Sequence, residues 1–160
     1  MTSVLEYTAD STPFLREWRE AGAAPAKFLD EVRKHPRYQG ISWRGCSRRS
    51  VSRLSPVLST SREIMVAHQF CSYHLDAALI AFIGYEGYDI SSSSCHQEED
   101  EILLIVEEVK TKTKFVTKLE NIPVFLACNN SNSTSNSRQW EQEVIYQVNR
   151  FQTFLEDYDL

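Results

Sequence analysis

The sequence lacks the usual signs of a metal-stabilised, secreted or membrane-spanning protein. Its four cysteines are scattered at Cys46, Cys71, Cys95 and Cys128 without a C-x-x-C pair, which disfavours a zinc site and indicates reduced thiols. The longest apolar run, residues 77–83, is far shorter than the roughly 20 residues that cross a bilayer. Residues 1–14 contain no apolar signal segment. We therefore predict a cytoplasmic protein without a bound metal or a membrane contact.

Acidic residues outnumber basic ones, and the resulting net charge of -5 disfavours non-specific binding to nucleic acid. Four arginines nevertheless fall within ten positions, at Arg44, Arg48, Arg49 and Arg53. This cluster can face an anionic ligand even on an acidic protein. A length of 160 residues with 42% hydrophobic residues predicts one domain over residues 1–160. Within it we expect an N-terminal helical segment at about 10–36 and a core at about 40–127.

Hydrophobic periodicity predicts a mixed α+β domain. Helical spacing of apolar residues predicts two helices within residues 12–35, divided by Gly22 and Pro25, a helix over 62–75 and a closing helix over 140–155. Short strand patterns occupy residues 41–45, 56–60, 77–83, 101–106, 112–119 and 122–127. Residues 84–96, which include two glycines and four consecutive serines, are predicted to form a loop.

The first motif that could bind a ligand or take part in a reaction is Ser42-Trp43-Arg44-Gly45, at the end of a predicted strand. A planar guanidinium can bind a phosphate through two parallel hydrogen bonds, and a glycine lets the backbone approach a ligand. Taken alone, this motif also fits an exposed arginine at a strand end.

The second motif is Ser59-Thr60-Ser61, at a junction between a strand and a helix. Strand alternation predicts Ser59 and Ser61 on one face and Thr60 on the other. Their hydroxyls can bind a ligand and brace neighbouring strands. By itself the motif equally fits capping of the following helix by Thr60 or Ser61.

The third motif is the acidic run at residues 98–101, which follows the serine-rich loop and precedes an apolar strand. Glu99 and Glu101 are two positions apart, so an extended chain would point both carboxylates to one face, about 7 Å apart. Taken alone, the run also fits a solvated strand end that prevents wrong pairing.

In chain order, Arg44-Gly45, Ser59-Thr60-Ser61 and Glu99-Asp100-Glu101 resemble the R-S-E class of mono-ADP-ribosyltransferases. The resemblance covers roughly residues 40–118. It implies an α+β fold with a split β-sandwich, N-terminal helices and a C-terminal helix. It also implies transfer of ADP-ribose from NAD to a protein acceptor, with release of nicotinamide and without a metal.

The resemblance also implies roles for these residues. The positions expected to bind NAD are Arg44, Gly45, Ser59, Thr60, Ser61 and Glu101. Glu101 would stabilise the oxocarbenium-like ribose, Ser59 would order Glu101, and Glu99 would orient the acceptor. A glutamate at position 99 goes with arginine acceptors in this class. The family further implies a monomer that modifies a cellular or host protein, as an effector without a Sec signal or as a phage protein.

Two alternatives depend on particular residues. Only 14 residues separate Arg44 from Ser59, fewer than the family usually has, so a segment that covers NAD is either absent or replaced by the N-terminal helices. If it is absent, the chain would be a catalytically degenerate, protein-binding module. A rival pair, Glu141 and Glu143, lies in the predicted closing helix, where positions i and i+2 point apart. A glycoside hydrolase is disfavoured because two carboxylates adjacent on one strand do not flank a glycosidic bond.

Overall fold

The computed structural model describes residues 3–106, 112–129 and 137–158. The helices are α1 (Val4–Ala9), α2 (Thr12–Ala21), α3 (Ala26–Val32), α4 (Ile64–Cys71) and α5 (Ser137–Tyr158). The strands are β1 (Arg37–Tyr38), β2 (Ser42–Ser47), β3 (Val57–Ser61), β4 (Ala77–Ile83), β5 (Glu86–Asp89), β6 (Glu101–Ile105), β7 (Thr113–Leu119) and β8 (Ile122–Cys128). Within these ranges no helix combines the length and the apolar character needed to cross a bilayer.

The strands form one sheet in the order β1-β5-β6-β3-β2-β4-β8-β7. Its two central strands, β2 and β3, are joined at a single residue pair, Trp43 with Ser61. By contrast, β3 and β6 share five residue pairs, and β2 and β4 share six. The sheet is therefore divided into two four-stranded halves, in agreement with the predicted α+β class and split β-sandwich. The weakly paired junction leaves room for a cavity between the halves.

The three N-terminal helices cover the half of the sheet that contains β3, β5 and β6. Their apolar side chains bury Tyr7, Trp18 and Phe28 against these strands. The Tyr7 and Trp18 rings stack with their centroids 5.7 Å apart, and Phe28 lies 4.8 Å from Trp18. The sequence did not predict α1, because its six residues are too few to display a helical period. Its start is stabilised by Ser3, whose hydroxyl accepts the backbone N–H of Glu6 at 3.1 Å.

The other half of the sheet packs against α4 and α5. Their shared core contains buried side chains from β2, β4 and β8, together with Val144, Val148 and Phe151 of α5. This packing confirms the predicted closing helix. The rival glutamates Glu141 and Glu143 lie on that helix, as expected.

The prediction of a continuous loop over residues 84–96 was wrong, because Glu86–Asp89 forms strand β5. This strand pairs with β1 on one side and β6 on the other. A side chain at Gly87 would come within 2.9 Å of the Leu104 side chain, so glycine permits the close packing of β5. The sequence Glu-Gly-Tyr-Asp lacks the β-branched residues by which strands are recognised.

Candidate active site

A cavity of about 370 Å³ opens at the junction of the two half-sheets. Its volume lies within the range of about 300–1,000 Å³ that small-molecule sites occupy. The predicted site residues that line this cavity are Arg44, Gly45, Ser59, Thr60, Ser61, Glu99 and Glu101. The fold therefore brings together all seven residues that the three motifs singled out.

Arg44 crosses the junction between β2 and β3. Its Nη1 donates a hydrogen bond of 2.8 Å to the backbone oxygen of Ser59. Arg44 also lines a second cavity of about 120 Å³, together with Arg19, Arg49 and Arg53. Within the described ranges, none of these four guanidinium groups has a carboxylate partner. Three members of the predicted cluster, Arg44, Arg49 and Arg53, thus form a basic patch with Arg19 beside the main cavity. The fourth, Arg48, does not line this cavity and pairs with the Asp76 carboxylate at 3.3 Å.

Gly45 lines the cavity, but a different contact explains why this position is a glycine. A β-carbon at Gly45 would overlap the backbone oxygen of Ala67 and come within 3.0 Å of the Cys71 sulfur. Both residues belong to α4, which therefore lies directly on the backbone of β2. The glycine serves close packing between helix and strand, which in turn brings Val66 and Phe70 of α4 to the cavity wall.

The three hydroxyls of Ser59-Thr60-Ser61 have separate partners. The Ser59 hydroxyl lies 2.9 Å from that of Tyr7. Thr60 donates a hydrogen bond of 2.7 Å to the backbone oxygen of Ile102 in β6. Ser61 donates a hydrogen bond of 2.6 Å to the backbone oxygen of Glu99 and accepts the N–H of Glu63, just before α4, at 3.0 Å. Thr60 therefore braces neighbouring strands, whereas neither Thr60 nor Ser61 caps α4, whose N-cap residue is Glu63. Ser59 is left to face the cavity.

Glu101 is the first residue of β6 and is 6% exposed. Burial raises the pKa of its carboxyl, and the negative charge of Glu99 acts in the same direction. Hydrogen bonds from Ser59 and Ser94 lower that pKa and oppose the effect of burial. The Ser94 hydroxyl is 3.4 Å from Oε1 of Glu101. A buried carboxyl in a cavity, with hydroxyl donors aimed at it, is the arrangement expected of a functional acid.

Glu99 reaches the same cavity by a route that the sequence did not predict. It ends a 3-10 turn over Gln97–Glu99 rather than lying in a strand, and Asp100 has a left-handed backbone conformation with φ 47° and ψ 52°. The prediction that strand alternation aligns Glu99 with Glu101 is therefore wrong. The turn at Asp100 brings the two glutamates together instead. Arg62 stabilises this turn by donating to the Asp100 carboxylate at 2.9 Å.

The serine-rich loop before the glutamates is fixed to the N-terminal helices. His35 Nε2 lies 2.9 Å from the Ser93 hydroxyl, and the Cys95 N–H donates to the Thr8 hydroxyl at 2.9 Å. Among the described residues, one set of side chains next to this loop could ligate a metal ion. It consists of His96, Glu98 and Glu99, whose ligand atoms lie within 4.8 Å of one another. His96 and Glu98 are exposed, and the absence of a metal stays a prediction.

Sequence reasoning missed the part of the cavity wall that comes from the N-terminus. Tyr7, Thr8, Ala9, Asp10 and Ser11 all line the cavity. The short segment between Arg44 and Ser59 was the available hint, because it suggested that N-terminal residues replace a covering segment. Nothing in the local sequence distinguishes Tyr7 from an ordinary core aromatic residue.

Comparisons with known proteins agree with this geometry at the level of the fold. No protein-family model and no curated protein matches the sequence. Exoenzyme S from Pseudomonas aeruginosa, solved with human 14-3-3 protein beta and bound to Carba-NAD, aligns over 82% of this chain and 74% of its own, with 17% identity and a TM-score of 0.57. The ADP-ribosyltransferase Vis from Vibrio splendidus, solved with an inhibitor, aligns over the same 82% and 74%, with 15% identity and a TM-score of 0.56. The chain therefore has the fold of the mono-ADP-ribosyltransferases.

Proposed function

We propose that this protein transfers ADP-ribose from NAD to an arginine of an acceptor protein and releases nicotinamide. The observation that carries this proposal is the convergence of Arg44, Ser59, Glu99 and Glu101 on one cavity of this fold. The acceptor is a protein of the same cell or of a host cell into which the enzyme is delivered.

Glu101 is the central residue of the proposed reaction. When the bond between C1′ of the ribose and the nicotinamide nitrogen breaks, its electron pair neutralises the pyridinium ring, so no acid is needed. Positive charge then develops on the ribose, as in glycoside hydrolysis. The buried Glu101 carboxylate stabilises that charge. The hydrogen bonds that lower its pKa favour the ionised form that this role requires.

The NAD phosphates are assigned to the arginine side of the cavity. Arg44 uses Nη1 to hold β3, and its other N–H groups are available to a phosphate through the planar fork of the guanidinium. Arg19, Arg49 and Arg53 surround the adjoining small cavity and add positive potential there. An anionic substrate is therefore attracted to this side, while its ribose approaches Glu101.

Glu99 is assigned to the acceptor. It is less buried than Glu101, and burial, reinforced by Glu98, raises the pKa of its carboxyl. A carboxylate at this place can pair with an incoming guanidinium. As the guanidinium nitrogen bonds to C1′, it loses a proton that Glu99 can accept. This arrangement supports arginine as the acceptor side chain.

The proposal is tested by measuring NAD binding by calorimetry and nicotinamide release by chromatography in the presence of cell lysate. Glu101→Gln should keep NAD binding and slow nicotinamide release by about a hundredfold or more. The matched control is Glu143→Gln, which makes the same change in the exposed rival motif on α5 and should retain wild-type activity. Absence of NAD binding by the wild-type protein would contradict the proposal and favour a protein-binding module.

A further inference from the structure

The hydroxyl of Tyr7 contacts Ser59, one of the candidate catalytic residues, but has no part in the reaction described above. Tyr7 is fully buried, and its hydroxyl lies 2.9 Å from that of Ser59, 52 positions away in the chain. A tyrosine needed only for packing could be a phenylalanine. Burying a hydroxyl is costly unless it has a hydrogen-bond partner. The partner of the Tyr7 hydroxyl is Ser59, so the tyrosine is tied to the candidate active site rather than to the core alone.

The direction of the hydrogen bonds around Ser59 follows from the charge of Glu101. An ionised carboxylate can only accept hydrogen bonds. Ser59 lines the same cavity as Glu101 and lowers the pKa of the Glu101 carboxyl through its hydroxyl, so Ser59 acts toward Glu101 as a donor. The Ser59 oxygen is then free to accept a proton from Tyr7. Burial raises the pKa of Tyr7 to about 12, so Tyr7 keeps its proton at neutral pH. The chain of donors therefore runs from Tyr7 to Ser59 to Glu101.

We infer that Tyr7 is a positioning residue, whose hydroxyl fixes the Ser59 hydroxyl in the orientation that donates to Glu101. Without this donor, the Ser59 hydroxyl can rotate toward other acceptors, and Glu101 loses part of its support. The catalytic side of this inference rests on the proposed function.

The surroundings of Tyr7 are suited to holding its hydroxyl in place. Its ring is stacked parallel to Trp18, with an interplanar angle of 4°, and packs against Phe28 at a centroid distance of 5.4 Å. At the start of α1, the Val4 N–H donates to the Glu31 carboxylate at 3.1 Å. Helix α1 is thus attached to α2 and α3, and the position of Tyr7 does not depend on the short helix alone.

The charged groups around the pair are few. The charges of Glu101 and Arg44 act on the pKa of Tyr7. The charges of Glu99 and His96 act on the pKa of Glu101. None of them replaces Tyr7 as a donor to Ser59, because Arg44 donates to the Ser59 backbone oxygen instead. The side chain of Ser59 is therefore oriented by Tyr7, and its backbone is held by Arg44.

The test is a double-mutant cycle in the full chain, with Tyr7→Phe, Ser59→Ala and the double variant. Tyr7→Phe should lower kcat about tenfold and leave KM for NAD nearly unchanged, because the hydroxyl supports Glu101 rather than substrate binding. In the Ser59→Ala background the same substitution should have little further effect, since the two residues act through one another. The matched control is Tyr38→Phe, which removes a hydroxyl that donates to the Ile41 backbone oxygen at 2.8 Å; it should leave kcat unchanged.

A full tenfold loss caused by Tyr7→Phe in the Ser59→Ala background would overturn the inference, as would an equal loss in Tyr38→Phe or no loss in Tyr7→Phe.

A second cycle uses urea unfolding and needs no activity. The effects of the two substitutions on the unfolding equilibrium constant should be non-additive by about fivefold. If the wild-type protein neither binds nor cleaves NAD, the proposed function fails, and the unfolding cycle still decides whether Tyr7 holds Ser59. Additive effects in that cycle would overturn the inference alone.

Discussion

Replacing Asp100 separates the backbone geometry of the candidate site from its charge. Asp100 lies between the two glutamates and has a left-handed backbone conformation, with φ 47°. This conformation costs a residue with a β-carbon roughly 1–2 kcal/mol. Asparagine adopts this conformation several-fold more often than other non-glycine residues. Asp100→Ala and Asp100→Asn both remove the carboxylate that pairs with Arg62 at 2.9 Å. The two variants therefore lose the same ion pair and differ in the backbone conformation that they favour.

The ion pair itself contributes little. The side chains of Arg62 and Asp100 are 40% and 35% exposed, and exposed pairs of this kind contribute about 0.2–1 kcal/mol. The backbone term, roughly 1–2 kcal/mol, is larger and changes the population of the left-handed turn by about 5- to 30-fold. If both Glu99 and Glu101 must face the cavity, transfer by Asp100→Ala should be about tenfold slower than transfer by Asp100→Asn.

The assay compares label transfer from NAD by the wild-type protein and by the Asn, Gly and Ala variants at position 100, together with their Tm values. Asp100→Gly should behave like Asp100→Asn, since glycine also accepts a positive φ. Equal transfer rates for Asp100→Asn and Asp100→Ala would show that the left-handed turn does not set the positions of the two glutamates.

Three further predictions concern neighbouring residues. Glu99→Gln should lose transfer to arginine but retain part of the NAD hydrolysis, and equal loss of both activities would contradict separate roles for the two glutamates. Gly45→Ala should lower Tm by about 3 °C or more, because its β-carbon meets the Ala67 backbone oxygen; an unchanged Tm would show that α4 shifts freely. Burial raises the pKa of Glu101 above its ordinary value of 4.5, so the folded state binds its proton more tightly and stability falls as pH rises through the folded pKa. Glu101→Gln should therefore have a higher Tm than the wild type at pH 7, by a margin that shrinks as the pH approaches 4.5; a lower Tm at pH 7 would contradict this.

Much of the fold could be predicted from the sequence because strong patterns reflect burial directly. Strand β4 was predicted at residues 77–83 and is found at Ala77–Ile83. A strand buried on both faces can be recognised from its continuous apolar run alone. The helix α5 was predicted for the same reason, from apolar residues at helical spacing. Strand β5 was missed because pairing on both of its sides, rather than its own composition, makes Glu86–Asp89 a strand.

The candidate site could be predicted in its membership but not in its geometry. The three motifs identify residues that line one cavity, whereas the alignment of Glu99 with Glu101 was argued from the wrong backbone conformation. Backbone contacts from distant residues accompany the left-handed turn at Asp100, such as the hydrogen bond of 3.2 Å from the Arg62 N–H to the Asp100 backbone oxygen, and local sequence does not record them. Tyr7 could not be singled out either, because its partner Ser59 is 52 positions away and local sequence carries no record of that contact.

In the proposed reaction, Glu101 supports transfer of ADP-ribose from NAD to a protein. The most direct measurement uses NAD labelled in its adenosine part, incubated with cell lysate and with either the wild-type protein or Glu101→Gln. The modified residue is then identified by mass spectrometry. We expect label on arginine side chains with the wild-type protein and none with Glu101→Gln. Equal labelling by both proteins would contradict the proposed role of Glu101.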